Sequence, residues 1–273
     1  GDETDGLAWV VSGSASVRAD GVERAHVGPG GLLGEASVFV PGERRTADVV
    51  ALEPLELWFL QRAGLVRLTA LHPDLYDALI EAAIVVLARR IGENERALRS
   101  EQRGNRPPPK REPARWWKRI ARKLEERKAP PPIEVAIEAL PTFGRTTRLV
   151  SELGKLAEPL YVPVGEALCI EGDVAESMYI VAQGQLAVML LAGEAALEIG
   201  TVGAGALLGT NALFESARRS ASLVATAPTW VYELTRERLA KAPPDIWRAM
   251  AKSLMVVLRG QLVDGHRRGP APE

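Results

Sequence analysis

Cysteine is almost absent from this sequence of 273 residues. Cys169 is the only one, so no internal disulfide framework forms, and the usage fits a reducing compartment. It sits in an apolar, strand-like run, which reads as a buried, inert thiol rather than a reactive one. Histidine is as sparse: His26, His72 and His266 are scattered, with no metal-ligand spacing and no nucleophile–base constellation around them. Charge of one sign is lacking too. The formal net charge is −1, so nucleic acid is not implied as a partner, and any basic surface has to be local. No apolar run approaches the roughly 20 residues of a membrane-spanning helix. The most apolar stretch, 78–88, is too short and runs into Arg89-Arg90. A secretory signal is missing, and a cytoplasmic location is expected. The chain opens on Gly1-Asp2 without a methionine, which reads as a fragment or a processed product.

What is present is organised around residues 32–47, L-L-G-E-A-S-V-F-V-P-G-E-R-R-T-A. The run 36–39 reads as one helical turn that follows Gly34-Glu35 and is stopped by Pro41. Its first N–H groups have no intrahelical partner, and they favour an anion. Arg45 adds a planar fork suited to a phosphate, Glu35 an acceptor for a sugar hydroxyl, and Thr46 a further hydroxyl. A compact phosphorylated nucleoside is the ligand such a set suits. The plainer alternative is a solvated hairpin with Glu43 paired to Arg44 or Arg45.

Self-similarity sets the architecture. Gly1, Asp2, Val10, Gly13 and Val17 recur at a constant offset as Gly172, Asp173, Val181, Gly184 and Val188. After a hairpin four residues longer in the second copy, Gly30, Leu32, Leu33 and Gly34 recur as Gly205, Leu207, Leu208 and Gly209. Arg44-Arg45 and Ala47 recur as Arg218-Arg219 and Ala221. Each copy is built of short strands with turn punctuation, which argues for a sandwich or jelly-roll barrel. Strands are predicted at 7–11, 15–18, 46–52 and 55–60, with a hairpin at Ala19-Asp20-Gly21. The second copy has a helix at 146–156 and strands at 160–163 and 167–171 ahead of Gly172. The first copy has no counterpart of these, so a segment upstream of Gly1, or one donated by another chain, is expected to cover its sheet edges.

The stretch 32–47 resembles the phosphate-binding cassette of the cyclic-nucleotide-binding domain family, found in catabolite-activator-type regulators, cyclic-nucleotide-dependent kinases and gated channels. Gly34-Glu35 and Arg45-Thr46-Ala47 carry the resemblance, with Arg44-Arg45-Thr46-Ala47 nearest to the channel form. It implies that Arg45 holds the cyclic phosphate and Glu35 the ribose hydroxyl. It also implies that Gly34 and Ala36 supply N–H groups, and that Thr46 lies near phosphate and base. The whole then resembles a tandem protein of the catabolite-activator and protein kinase A regulatory-subunit type without a DNA-binding domain. The expected fold is mainly β with flanking α: two jelly-roll barrels joined by a helical linker, at 1–103, 104–137 and 138–273.

A helix is predicted over 74–103, with Leu75, Leu79, Ala83, Val86 and Leu87 at helical spacing. It is apolar nearly all round at 78–88, which suits burial on two sides, one against the barrel and one against a second protomer in a homodimer. By the resemblance, Arg90 and Asn94 are candidate residues of a lid over the base. Between two Pro-rich breaks, residues 110–128 hold nine Lys or Arg against three Glu, with Trp117, Ile120, Ala121 and Leu124 on one stripe. This basic amphipathic helix reads first as a linker docked on a barrel, and second as an anchor on an anionic membrane or acidic protein.

In the second copy, Arg219-Ser220-Ala221 keeps the arginine hook, but Thr210 replaces the acidic residue. Loss of a charge-assisted hydrogen bond costs about 1.5–3 kcal/mol, so only a weak second site at Arg219 and Ser220 is expected. A helix over 245–263 follows, and no helix-turn-helix comes after it. The chain thus reads as a regulatory sensor rather than an enzyme, with no cofactor and with cAMP or cGMP as ligand. Thr46 is able to bond the guanine amino group, and the balance falls slightly to cAMP. A scaffold that binds no nucleotide is the alternative, as is the regulatory part of a larger effector or membrane protein.

Overall fold

The computed structural model describes residues 1–3, 5–40, 42–102, 129–138, 140, 147–192, 195–210 and 218–268. The predicted basic helix at 110–128 and the side chain of Asn94 lie outside the described residues. Two compact units are present, residues 1–98 with 251–273, and residues 99–250.

In the first unit, β1 (Gly6–Ser12) lies between β4 (Leu32–Leu33) and β6 (Glu56–Gln61), and β2 (Ala15–Ala19) lies between β3 (Val22–Val27) and β5 (Asp48–Ala51). All pairings are antiparallel. The β2–β3 hairpin closes Ala19 on Val22 through Asp20 and Gly21, both at positive φ, as the Asp-Gly signal demands. The inward side chains Ala8, Val10, Val17, Val27 and Leu33 pack together. Helices α1 (Glu35–Val38), α2 (Arg62–Leu71) and α3 (Pro73–Gln102) complete this part. The sequence reading did not include α2. It has no side-chain cap at Gln61 and buries only Leu65, so its pattern is weak.

In the second unit, α4 (Ile133–Glu138) and α5 (Thr147–Leu156) precede β7 (Glu158–Val162) and β8 (Ala167–Cys169). One sheet runs β12 (Leu207–Leu208), β9 (Ser177–Gln183), β14 (Thr229–Thr235), β7. The other runs β11 (Ala195–Gly203), β10 (Gln185–Ala192), β13 (Ser222–Ala225), β8. Helix α6 (Arg236–Leu239) follows, then α7 (Pro244–Arg268), whose residues from 251 onward group with the first unit. Residues 133–137 were expected to be linker. Pro130 to Pro132 stand just before α4, where proline suits a helix start as well as a spacer.

The two copies share main-chain hydrogen bonds at equivalent positions. Arg45 N–H donates to Asp2 O at 2.9 Å, and Arg219 N–H to Asp173 O at 2.8 Å. Arg62 N–H donates to Asp5 O, and Arg236 N–H to Glu176 O. Gly30 N–H meets Val10 O, and Gly205 N–H meets Val181 O. Two jelly-roll-like barrels are therefore present, mainly β with flanking helices.

They differ at their edges. β14 pairs with β7 and β13 with β8. Their counterparts β6 and β5 each have one strand partner among the described residues. Exposure follows. Leu57, opposite Val10, is 39% exposed, while Val231, opposite Val181, is fully buried. Trp58 is 70% exposed, whereas Tyr232 at the same register is 7% exposed and donates its hydroxyl to Pro131 O.

Helix α3 buries Tyr76, Ile80, Ala83, Ile84, Leu87, Ala88 and Ile91. Of the expected stripe, Ala83 and Leu87 are fully buried, Leu79 and Val86 are half-buried, and Leu75 faces solvent. Burial on two sides is not seen in this unit, since Ala78 and Ala82 are exposed. A helix apolar all round gives no periodicity by which to choose its face. Among the described residues no helix is long and apolar enough to cross a membrane.

Candidate functional site

The site is the cassette at β4, α1 and the loop to β5. Gly34 is the N-cap of α1 at φ 86°, in the left-handed region. A Cβ there would overlap Arg45 Nη1 and come within 2.9 Å of Gly6 O, so glycine is required twice, by conformation and by the arginine lying against it. Helix α1 begins at Glu35, one residue earlier than expected, and its single turn ends at Val38. The bonds from Ser37 N–H and Val38 N–H to Gly34 O close the turn, leaving the Ala36 N–H ahead of the ladder.

Arg45 turns inward. Its Nη2 donates to Asp5 Oδ1 at 2.5 Å and to Gly6 O at 2.9 Å. The guanidinium holds the exposed Asp5 carboxyl below its ordinary value. The solvated-hairpin alternative is corrected: Arg45 pairs with Asp5, and Glu43 lies 2.6 Å from Arg259.

Glu35 is 1% exposed and forms an ion pair with Arg90 of α3, which also donates to Leu32 O at 3.0 Å. Burial pushes the Glu35 carboxyl above its ordinary value, against the pull of the Arg90 charge. Only Oε1 meets Arg90. Oε2 is buried and has no hydrogen-bond partner. Arg90, expected as a lid residue, ties α3 to the acid of the cassette and lines the same cavity.

Gly34, Glu35, Ala36, Arg45, Thr46, Ala47 and Arg90 all line one cavity of about 440 Å³. The structure thus brings every residue predicted for the first site to one wall-lined space. That volume is in the range of small-ligand pockets, about 300–1,000 Å³. Asp5 was missed by sequence reasoning. Its signal was there, since Glu176 keeps an acidic residue at the repeat-equivalent position.

The second copy keeps the hook. A Cβ at Gly209 would overlap Arg219 Nη1, as at Gly34. Arg219 is buried and donates to Ser177 O at 2.7 Å, Ser177 Oγ at 3.1 Å and the Tyr179 hydroxyl at 3.1 Å. Its guanidinium lies 5.0 Å from the Tyr179 ring centre. Tyr179 occupies the position of Ala8, which lines the first cavity. Burial raises the Tyr179 hydroxyl above its usual value and raises Cys169 likewise, so both stay protonated at neutral pH. Ser220 stands next to this arginine, and Thr210 is buried. Among the described residues no group of three acidic, histidine or cysteine side chains is placed to hold a metal.

A jelly-roll is present twice, with an arginine packed on a left-handed glycine in each copy. The chain belongs to the cyclic nucleotide-binding domain family: the family model matches residues 1–72 and 159–242, more than half of the chain. Among solved structures it is similar to a cyclic nucleotide-binding domain from Methylobacillus flagellatus, at 24% identity and a TM-score of 0.45, covering 54% of this chain and 83% of that one. The regulatory domain of Toxoplasma gondii PKA, crystallised with cAMP, shows 18% identity and a TM-score of 0.39, covering 92% and 78%. A cyclic nucleotide-binding-like protein from Brucella abortus shows 30% identity and a TM-score of 0.36, covering 39% and 95%. No curated protein matches the sequence.

Proposed function

We propose that the first repeat binds a cyclic purine nucleotide, cAMP or cGMP, and that occupancy biases helix α3 through Arg90. The observation that carries this is Glu35 Oε2, a buried carboxylate oxygen with no partner beside Arg45 in the same cavity. Leaving a buried acceptor unmade is costly, and a ribose hydroxyl supplies the missing donor. The cyclic phosphate sits against the Arg45 guanidinium and the Ala36 N–H, with Thr46 and Ala47 along the wall. Both bonds of Arg45 to protein leave from Nη2, so the fork keeps donors for phosphate oxygens. Because Arg90 holds Oε1 of the same carboxylate, filling Oε2 acts directly on the residue that anchors α3. Such a signal requires the nucleotide to bind two positions of α3 with different affinity.

The second repeat serves as a structural or protein-contacting module. Its arginine is satisfied by Ser177 and Tyr179, a tyrosine stands where the first repeat has Ala8, and Thr210 offers no carboxylate.

Calorimetry and thermal unfolding with cAMP and cGMP test the reading. Nucleotide at a hundred times its dissociation constant stabilises by about 2.7 kcal/mol. Arg45→Ala abolishes that stabilisation, and Glu35→Gln weakens binding by about tenfold to a hundredfold. If neither nucleotide stabilises the wild type, and Arg45→Ala unfolds identically with and without them, the first repeat is a scaffold.

A further inference from the structure

One outward face of the barrel is covered in the second repeat and open in the first. Side chains alternate along a strand, so those next to the inward Tyr179, Val181 and Val231 point out. On the second repeat these are Met178, Ile180 and Ala182 of β9 with Tyr232 and Leu234 of β14, and all five are buried. Helix α4 packs on β9, with Ile133, Ala136 and Ile137, and Leu140 just past its end, all buried. Ahead of α4, Pro131 O accepts the Tyr232 hydroxyl. On the first repeat Leu7 is buried and Leu60 half-buried, while Trp9 is half-buried and Val11 and Trp58 are exposed. Trp9 pairs with Trp58 in the register of Ile180 with Tyr232. Among the described residues the place of α4 is therefore open, and two indoles line it.

Spacing and charge choose the occupant. Helix α4 covers its face with Ile133, Ala136, Ile137 and Leu140, at i, i+3, i+4 and i+7. Trp117, Ile120, Ala121 and Leu124 repeat that spacing within residues 110–128, which lie outside the described residues. The polar positions differ in sign. Those of α4 include Glu134 and Glu138, whereas Lys118, Arg119, Arg122 and Lys123 fill the gaps between Trp117 and Leu124. The faces differ in the complementary way. Glu56, exposed and next to Trp58 on the same side of β6, stands where the second repeat has Trp230. The Ser12 hydroxyl is its hydrogen-bond partner, and among the described residues it pairs with no cation. A basic helix suits an aromatic face edged by an acid, and its Lys and Arg stems add apolar cover. We propose that residues 110–128 dock as an amphipathic helix on the Trp9–Trp58 face of the first repeat of the same chain, stripe inward, as α4 does on the second. An anionic membrane is the other use of such a stripe, and it leaves Trp58 open.

Hydroxyl-radical footprinting of the full chain, read residue by residue by mass spectrometry, tests this. Undocking precedes unfolding of the barrel, so it is read at Trp58 rather than from global stability. Ile120→Asp with Leu124→Asp puts two carboxylates into the stripe and raises the oxidation rate at Trp58 by about threefold or more over wild type. Tyr232, covered by α4, keeps its rate. Glu56→Lys raises the Trp58 rate by a smaller factor, and Lys118→Glu with Arg122→Glu in that background lowers it again. Equal Trp58 rates in the wild type and the stripe variant overturn the docking. If vesicles of anionic phospholipid then bind the wild type and not the stripe variant, the segment serves a membrane instead. Protection of Trp58 that fades on dilution comes from a second copy, and it overturns docking within one chain.

Discussion

Arg90→Ala is the sharpest probe of how α3 is joined to the cassette. Glu35 is 1% exposed and ion-paired with Arg90, whose side chain is 15% exposed, while the charge of Arg45 also acts on it. Removing one partner of a buried pair costs about 3–5 kcal/mol, because the remaining charge stays desolvated. For a unit of this size that is a fall in midpoint of about 10–20 °C. The penalty depends on pH, with a definite sign. Burial already places the Glu35 carboxyl above its unfolded value, and loss of the Arg90 charge moves it higher still. A carboxyl so shifted binds more protons folded than unfolded. Its contribution is most favourable below the unfolded value and is lost as pH rises through the folded one. Arg90→Ala is thus least destabilised in acid and most destabilised near neutral pH. Adding Glu35→Gln removes the orphaned charge and restores much of the loss. Urea unfolding of the two single variants and the double variant at roughly pH 4.5 and pH 8 measures all of this. If Arg90→Ala lies within about 0.5 kcal/mol of wild type at the higher pH, or if its penalty is the same at both, the pair does not bear on this fold as argued.

Gly34→Ala combines a left-handed backbone with displacement of Arg45, so it costs about 1–2 kcal/mol for the conformation alone and abolishes nucleotide-dependent stabilisation in a thermal shift. Tyr179→Ala leaves a cavity beside Arg219 and costs about 3–5 kcal/mol by chemical unfolding. Calorimetry finds no nucleotide binding gained in the second repeat, since Thr210 still offers no carboxylate. Trp58→Ala and Tyr232→Ala occupy one register position in the two repeats. The first falls within about 0.5 kcal/mol of wild type and the second costs about 3 kcal/mol or more, because only Tyr232 is buried. Equal losses would mean that the open edge of β6 is covered in solution.

Much of this protein is legible in its sequence, for reasons that are local. The turn glycines recur because positive φ at Gly34 and Gly209 admits little else, and the spacing from glycine to arginine recurs because the arginine must pack on that glycine. The Asp-Gly hairpin and the single turn before Pro41 depend on residues a few positions apart. The two copies, the cassette and the replacement of an acid by Thr210 were therefore readable from order alone. Distance along the chain hid the rest. Asp5 meets Arg45 across forty positions, and Arg90 meets Glu35 across fifty-five. Nothing in the local pattern of Tyr179 announces that its hydroxyl receives a bond from Arg219. The face that α3 buries was chosen by what lay against it, because residues 78–88 are apolar nearly all round. His266 and Leu262 reach the first cavity from the far end of the chain for the same reason: periodicity fixes which residues share a helix face, and only packing decides what that face covers.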